Sequence, residues 1–270
     1  MHILAFGAHP DDCDIVAGGT AALFRSFGHR VKFVSVTNGE SGHHKLSGEE
    51  LVRIRKQEAQ AAGSIIGVEY DVLDYPDGRL EPIIQAREEI IAIIRKFQPD
   101  LVLTHRPNDY HPDHRYTSQL VCDAAYMVTV PPIVPEVPAL RTNPVFMYFA
   151  DRFRRPYPFS PDVVVDIDPV LDRVVDMLDC HRSQFYEWLA YNHQYENELP
   201  EEPAEQRSWL KERYQQRTAW VADRFRSKLT ESYGREHSHR IKCAEAFELC
   251  EYGQPLGRED RRRLFPFLPE

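Results

Sequence analysis

At 270 residues the chain can bury a sizeable core, as one large α/β domain or as a domain with an appendage. Hydrophobic residues at 42% and charged residues at 28% suit a soluble globular protein, and a formal net charge of −9 leaves no excess of cations to cover phosphates, which excludes a nucleic-acid surface. No uninterrupted apolar run approaches the roughly 20 residues of a membrane-spanning helix.

In chain order, His2 to Phe6 reads as a buried strand, and Gly18-Gly19-Thr20 is expected to open a helix running to about Phe27. Val31 to Val36 is the next strand and leads into a polar loop from Thr37 to Ser47. Ser47 with Glu50 resembles a capping box for a helix reaching about Ile66. Tyr70 to Leu73 is a short strand, and Ile83, Ile90, Ile91, Ile94 and Phe97 recur at helical spacing. Pro99-Asp100 introduces the strand Leu101 to Thr104, and Arg115 to Val128 follows as a helix. Val130 to Pro144 carries five prolines and is expected as an ordered irregular loop. Phe146 to Phe149 and Val163 to Val165 are strands, and Pro169 to about Tyr191 is a helix. Glu196 to Glu205 is an acidic surface excursion, and Gln206 to Phe247 is helical in propensity.

Alternation of this kind predicts a Rossmann-like α/β fold, a mostly parallel sheet with helices on both faces and a helical C-terminal extension. The expected division is a catalytic domain over 1–200 and a helical region over 201–270 packed on it, with no flexible linker between them. Five cysteines without C-x-x-C spacing read as reduced thiols. With no basic n-region or apolar h-region at the N-terminus, the expected compartment is the cytoplasm.

Two short clusters carry the chemistry: Ala8-His9-Pro10-Asp11-Asp12 after the first strand and His111-Pro112-Asp113-His114 after the fourth. Parallel strands end on one sheet edge, so both can reach one crevice, and imidazole with carboxylate suits a borderline-soft divalent ion. The plain alternative for either cluster alone is a solvated loop. Gly18-Gly19 could also suggest a phosphate cradle, but the dinucleotide and Walker glycine patterns are absent.

These two clusters, with Gly18-Gly19-Thr20, resemble the LmbE/PIG-L family of zinc-dependent N-acetylglucosamine deacetylases. Thr37-Asn38-Gly39-Glu40-Ser41-Gly42, Arg55 with Glu58, Pro76-Asp77-Gly78, His181-Arg182-Ser183-Gln184 and Ala244-Glu245-Ala246-Phe247 agree with it, so the resemblance spans Ile3 to about Phe247. Glu196 to Ser238 looks like an insertion, and Asp14 stands where relatives commonly have Glu.

The resemblance implies that His9, Asp12 and His114 hold Zn2+, with Fe2+ as the other candidate ion, leaving a position open to water. It implies Asp11 as general base, His111 as oxyanion stabiliser or proton donor to the amine, and Asp113 as the carboxylate orienting His111. Arg55, Asp77, Asn38, Glu40 and Tyr110 are the implied sugar contacts. His43 and His44 read as a solvated pair, and Cys13 as a packed thiol.

The implied reaction is hydrolysis of the acetamide of an N-acetylated sugar or sugar conjugate, with a small molecule as partner, no nucleic acid and no membrane, and homo-oligomerisation left open. The alternatives are a conjugate amidase cleaving a larger acyl group and a non-catalytic metal- or carbohydrate-binding descendant of the fold.

Overall fold

Residues 1–269 are described by a computed structural model. The first half runs β1 (His2–Gly7), α1 (Asp12–Ser26), β2 (Arg30–Thr37), α2 (Gly48–Ile66), β3 (Glu69–Tyr75), α3 (Ile84–Phe97), β4 (Leu101–Thr104) and α4 (Pro112–Met127). The second half runs β5 (Val145–Phe149), β6 (Val163–Asp166), α5 (Leu171–Cys180), α6 (Leu189–Asn192), α7 (Pro203–Arg224), α8 (Arg226–Ser238), β7 (Ala244–Cys250) and α9 (Arg258–Leu264). One sheet of order β3-β2-β1-β4-β5-β7-β6 joins all the strands.

Strand periodicity divides the core in two. Ile3 and Ala5 of β1 face a cluster with Phe24, Phe33, Val174 and Phe247, while Leu4 and Phe6 face the opposite cluster with Ile90, Ile94, Val121 and Phe146. Helices on both faces are the solution for a sheet whose central strands are apolar throughout. β1 pairs in parallel with β2 on one side and β4 on the other. Strand order therefore reverses between β1 and β4, and their carboxyl ends open a crevice.

Three expectations are corrected. The first helix starts at Asp12, not at the glycines, which lie inside it. A Cβ on Gly19 would stand 2.6 Å from Ile167, so this glycine serves close packing and not a phosphate cradle. Ser47 does precede α2, but its side chain makes no capping hydrogen bond. The helix expected over 169–191 is interrupted: α5 stops at Cys180, and a π-helical turn over Ser183–Trp188 follows, with Ser183 donating from its N–H and hydroxyl to Glu58 at 2.8 and 2.6 Å.

The largest correction is β7. Residues 244–247 end the stretch read as helical, yet they form a strand that runs antiparallel between β5 and β6, pairing Phe149 with Phe247 and Val165 with Glu245. Ala and Glu favour helix locally, and the pairing that overrides them joins residues about a hundred positions apart.

On the far face, the buried Arg95 organises the proline-rich loop. Its guanidinium donates to the carbonyls of Met127, Val128 and Val130 at the end of α4 and to those of Ile133, Val134 and Val137 beyond it. A cation at a helix C-terminus is favoured by the orphan carbonyls and the dipole.

Candidate metal centre

The first motif turns sharply out of β1. Gly7 permits it, because a Cβ there would stand 2.8 Å from that of Asp12. Asp11 occupies the N-cap of α1 with an extended φ of 178°, and Asp12 starts the helix. Asp12 Oδ2 accepts the N–H groups of Ala8 and His9 at 2.9 and 2.7 Å, which fixes this carboxylate over the end of the strand. The second motif begins α4: His111 is the N-cap and Pro112 the first helical residue, where the missing N–H costs nothing.

The two motifs meet. His9 Nδ1 is 3.4 Å from Asp12 Oδ2, His114 Nε2 is 3.5 Å from Asp12 Oδ1, and the two imidazole nitrogens are 3.3 Å apart. Donors about 2.0–2.1 Å from one ion in a tetrahedron stand about 3.3–3.4 Å from each other. The two imidazole nitrogens, each with one oxygen of the Asp12 carboxylate, thus stand at the spacing of zinc ligands. The remaining nitrogens are backed by carboxylates: His9 Nε2 lies 3.2 Å from Asp77 and 3.4 Å from Asp113, and His114 Nδ1 lies 3.2 Å from Asp109. Such backing fixes ring orientation and raises ligand basicity.

Electrostatics point the same way. Burial pulls the His9 pKa down, but Asp113, Asp12 and Asp77 outweigh it and hold it well above the usual value. Burial likewise opposes ionisation of Asp12, yet His114 and His105 hold its carboxyl well below the ordinary range. This is a place that stabilises positive charge, as a proton or as a divalent ion. Asp11, in contrast, is raised, first by burial and then by the neighbouring Asp12 carboxylate, while His181 and Arg55 partly oppose this.

His111 stands edge-on to His9 with ring centroids 4.6 Å apart. Its Nδ1 accepts the Asp113 N–H at 3.2 Å, so in the neutral ring the proton resides on Nε2. The expected carboxylate contact from Asp113 to His111 is therefore corrected. That carboxylate accepts from the N–H groups of Gly78 and Leu80 at 2.7 and 3.3 Å and turns to His9. Only the Asp113 backbone reaches His111.

Asp11, Tyr110 and the three candidate ligands line a cleft of about 400 Å³. Tyr110 is at its rim and 74% exposed. The other expected sugar contacts sit behind the lining. Asp77 is buried against His9 and accepts the Ser41 N–H at 3.2 Å. Arg55 is buried and donates to the Gly42 carbonyl at 2.7 Å. Asn38 and Glu40 bond each other, with Asn38 Nδ2 donating to Glu40 at 3.2 Å. Together these four brace the loop from β2 to α2. The pair His43-His44 is packed, not solvated: His43 Nε2 is 2.9 Å from Glu187, and His44 stacks on Tyr191 with centroids 4.2 Å apart.

Sequence reasoning missed His105 and Asp109. His105 stacks on His114 at 4.1 Å and brings Nε2 to 3.3 Å from Asp12. Its signal was its place directly after β4, the same signal that singled out His9's neighbourhood after β1. Behind the cleft, His181 Nε2 lies 3.4 Å from Asp14, both fully buried. The far wall of the cleft comes from the second half: Arg152 and Phe153 after β5, and Arg217, Trp220 and Val221 of α7. Nothing in the local sequence marks these.

All five cysteines are free thiols, and no helix among the described residues is long and apolar enough to cross a membrane.

Comparison with known proteins bears on this centre. Residues 4–125 match the family model PIG-L, GlcNAc-PI de-N-acetylase, which covers both motifs. A diacetylchitobiose deacetylase of Thermococcus kodakarensis is 30% identical over 191 residues, covering 68% of this chain and 70% of that protein. A 4-oxalmesaconate hydratase of Pseudomonas putida is 25% identical over 196 residues, covering 70% of this chain and 76% of its own. Among solved structures, N,N'-diacetylchitobiose deacetylase from Pyrococcus horikoshii superposes with a TM-score of 0.71 at 23% identity, covering 93% of this chain and 84% of that one.

Proposed function

The chain belongs to the PIG-L (LmbE-like) family, and on that footing we propose that it is a zinc-dependent hydrolase that removes the acetyl group of an N-acetylated sugar or sugar conjugate. The observation that carries this reading is the mutual spacing of His9 Nδ1, Asp12 Oδ and His114 Nε2 in a cleft that also contains Asp11. Those three residues would hold the ion, which when bound polarises the amide carbonyl and eases loss of a proton from water.

The chain's own groups supply the proton traffic. Water adds to the carbonyl carbon and its proton passes to the Asp11 carboxylate, whose raised pKa suits a base working toward neutrality. His111 Nε2–H donates toward the developing oxyanion. When the C–N bond breaks, the leaving nitrogen takes up a proton from His111 or from the now protonated Asp11 and departs as the amine, leaving acetate. Asp109, Asp77 and Asp113 act through the imidazoles they back.

Acetate release from N-acetylglucosamine and diacetylchitobiose, measured on metal-stripped protein with and without added zinc, tests this. Zinc-restored release that is lost in Asp11→Asn is the expected result. Because a hydratase shares the framework, the deciding readout is the released acid, not metal content. Bound zinc without acetate from any acetylated amine would overturn the reading.

A further inference from the structure

The cleft changes character along its length. Its inner end is the buried His/Asp cluster, and its outer wall carries two arginines, Arg152 after β5 and Arg217 in α7. Trp220 and Val221 lie three and four residues beyond Arg217, so one face of α7 lines the cleft. The Arg152 guanidinium is seated on the Trp220 ring at 4.7 Å, which holds it at the wall.

Neither arginine has a carboxylate partner among the described residues, and the acids that share the cleft are engaged elsewhere. Asp151 takes two hydrogen bonds from Arg106 at 3.0 and 3.1 Å. Glu245 accepts the N–H groups of Gly19 and Thr20 at 2.8 and 2.7 Å, and Asp109 faces His114 at 3.2 Å. Both guanidiniums therefore face the cleft without a carboxylate to neutralise them. Planar guanidiniums take oxyanions through paired N–H donors.

We propose that this wall is an anion subsite: the substrate carries a phosphate or carboxylate on the side remote from the reacting amide, and Arg217 and Arg152 select it. The proposal rests on the deacetylase reading for the identity of the amide and on the wall itself for the charge.

The test compares three glycosides of one sugar on the zinc-loaded enzyme: the methyl and carboxymethyl glycosides of N-acetylglucosamine, and N-acetylglucosamine 1-phosphate. Wild type is expected to favour at least one anionic member over the methyl glycoside by about tenfold in kcat/KM. Which anionic arm leads identifies the oxyanion. In Arg217→Met/Arg152→Met the anionic-to-methyl ratio is expected to fall to about one, chiefly through KM, with Arg217→Lys intermediate. A wild-type ratio near one, or a ratio unchanged in the double variant, overturns the subsite.

Calorimetric binding of glucosamine 1-phosphate against methyl glucosaminide separates the two readings. If no arm releases acetate, yet wild type prefers the phosphate and the double variant does not, the deacetylase reading fails and the subsite stands. Equal preference in both proteins removes the subsite whatever the chemistry.

Discussion

At the inner end of the cleft both nitrogens of His9 and of His114 have a partner within 3.5 Å, and Asp12 is pinned by two backbone amides. At the outer end Arg152 and Arg217 project exposed guanidiniums that no carboxylate holds. The inner groups are fixed before any ligand arrives, so they lose little entropy when one binds and can set geometry closely. The outer guanidiniums, with no ion pair among the described residues and only ring stacking on Arg152, are less tightly fixed. The division teaches where to look for each property: reaction type in the pinned cluster, substrate choice in the free wall.

The sharpest way to break this comparison is Asp11→Asn. Acetate release is expected to fall by about 10³-fold with zinc content unchanged, since general-base losses run at roughly 10²–10⁴. Retained activity, read in the same assay, would move the base to another residue.

Next in size is a control outside the cleft. Arg95→Met strips the six carbonyls around it of their donor, and denaturant unfolding is expected to show a loss of about 3 kcal/mol. Zinc affinity should stay at the wild-type value, because Arg95 braces the C-terminal end of α4, about 20 Å along the helix from His114 in its first turn. If affinity falls as well, the inner end is not independently braced.

Asp109→Asn probes that bracing directly. With its carboxylate no longer facing His114, zinc affinity measured by competition with a chelator is expected to weaken by about 10–100-fold. An unchanged affinity would mean that the contact only fills space.

The smallest effect concerns His181. Burial lowers its pKa, but Asp14 and Asp11 more than compensate, and the net direction is upward. A folded pKa above the unfolded value of about 6.5 means that the protonated ring stabilises the native state. That contribution is full below about pH 6.5 and is lost as pH rises through the folded value. Thermal unfolding of metal-free protein should therefore show stability declining across that window, and His181→Gln should flatten the decline.

The inner end was legible in the sequence because it is local. His9, Asp11 and Asp12 fall within four residues, as do His111 and His114, and each group follows a recognisable strand. Parallel pairing of β1 with β4 then brings the two together by topology alone. His105 met the same rule and could have been found by it. Asn38, Glu40, Arg55 and Asp77 were legible as a group but not by role, since nothing in a sequence separates a carboxylate facing a cleft from one facing the back of an imidazole. The outer wall was not legible. Arg217 and Trp220 are exposed-looking residues of a charged helix, and only the packing of α7 against β7 turns them toward residues two hundred positions earlier.

The placement of β7 has a consequence for how the chain is made. β5 is held on one side by β4, but its other edge is covered only by β7, which ends at Cys250, and among the described residues β6 joins the sheet through β7 alone. During synthesis the five parallel strands and both motifs emerge first and can collapse together, while β5 presents an open hydrogen-bonding edge until Ala244–Cys250 leave the ribosome. Over that interval the nascent chain can begin to bring its two His/Asp motifs together, but the edge of its sheet remains open to any strand that reaches it.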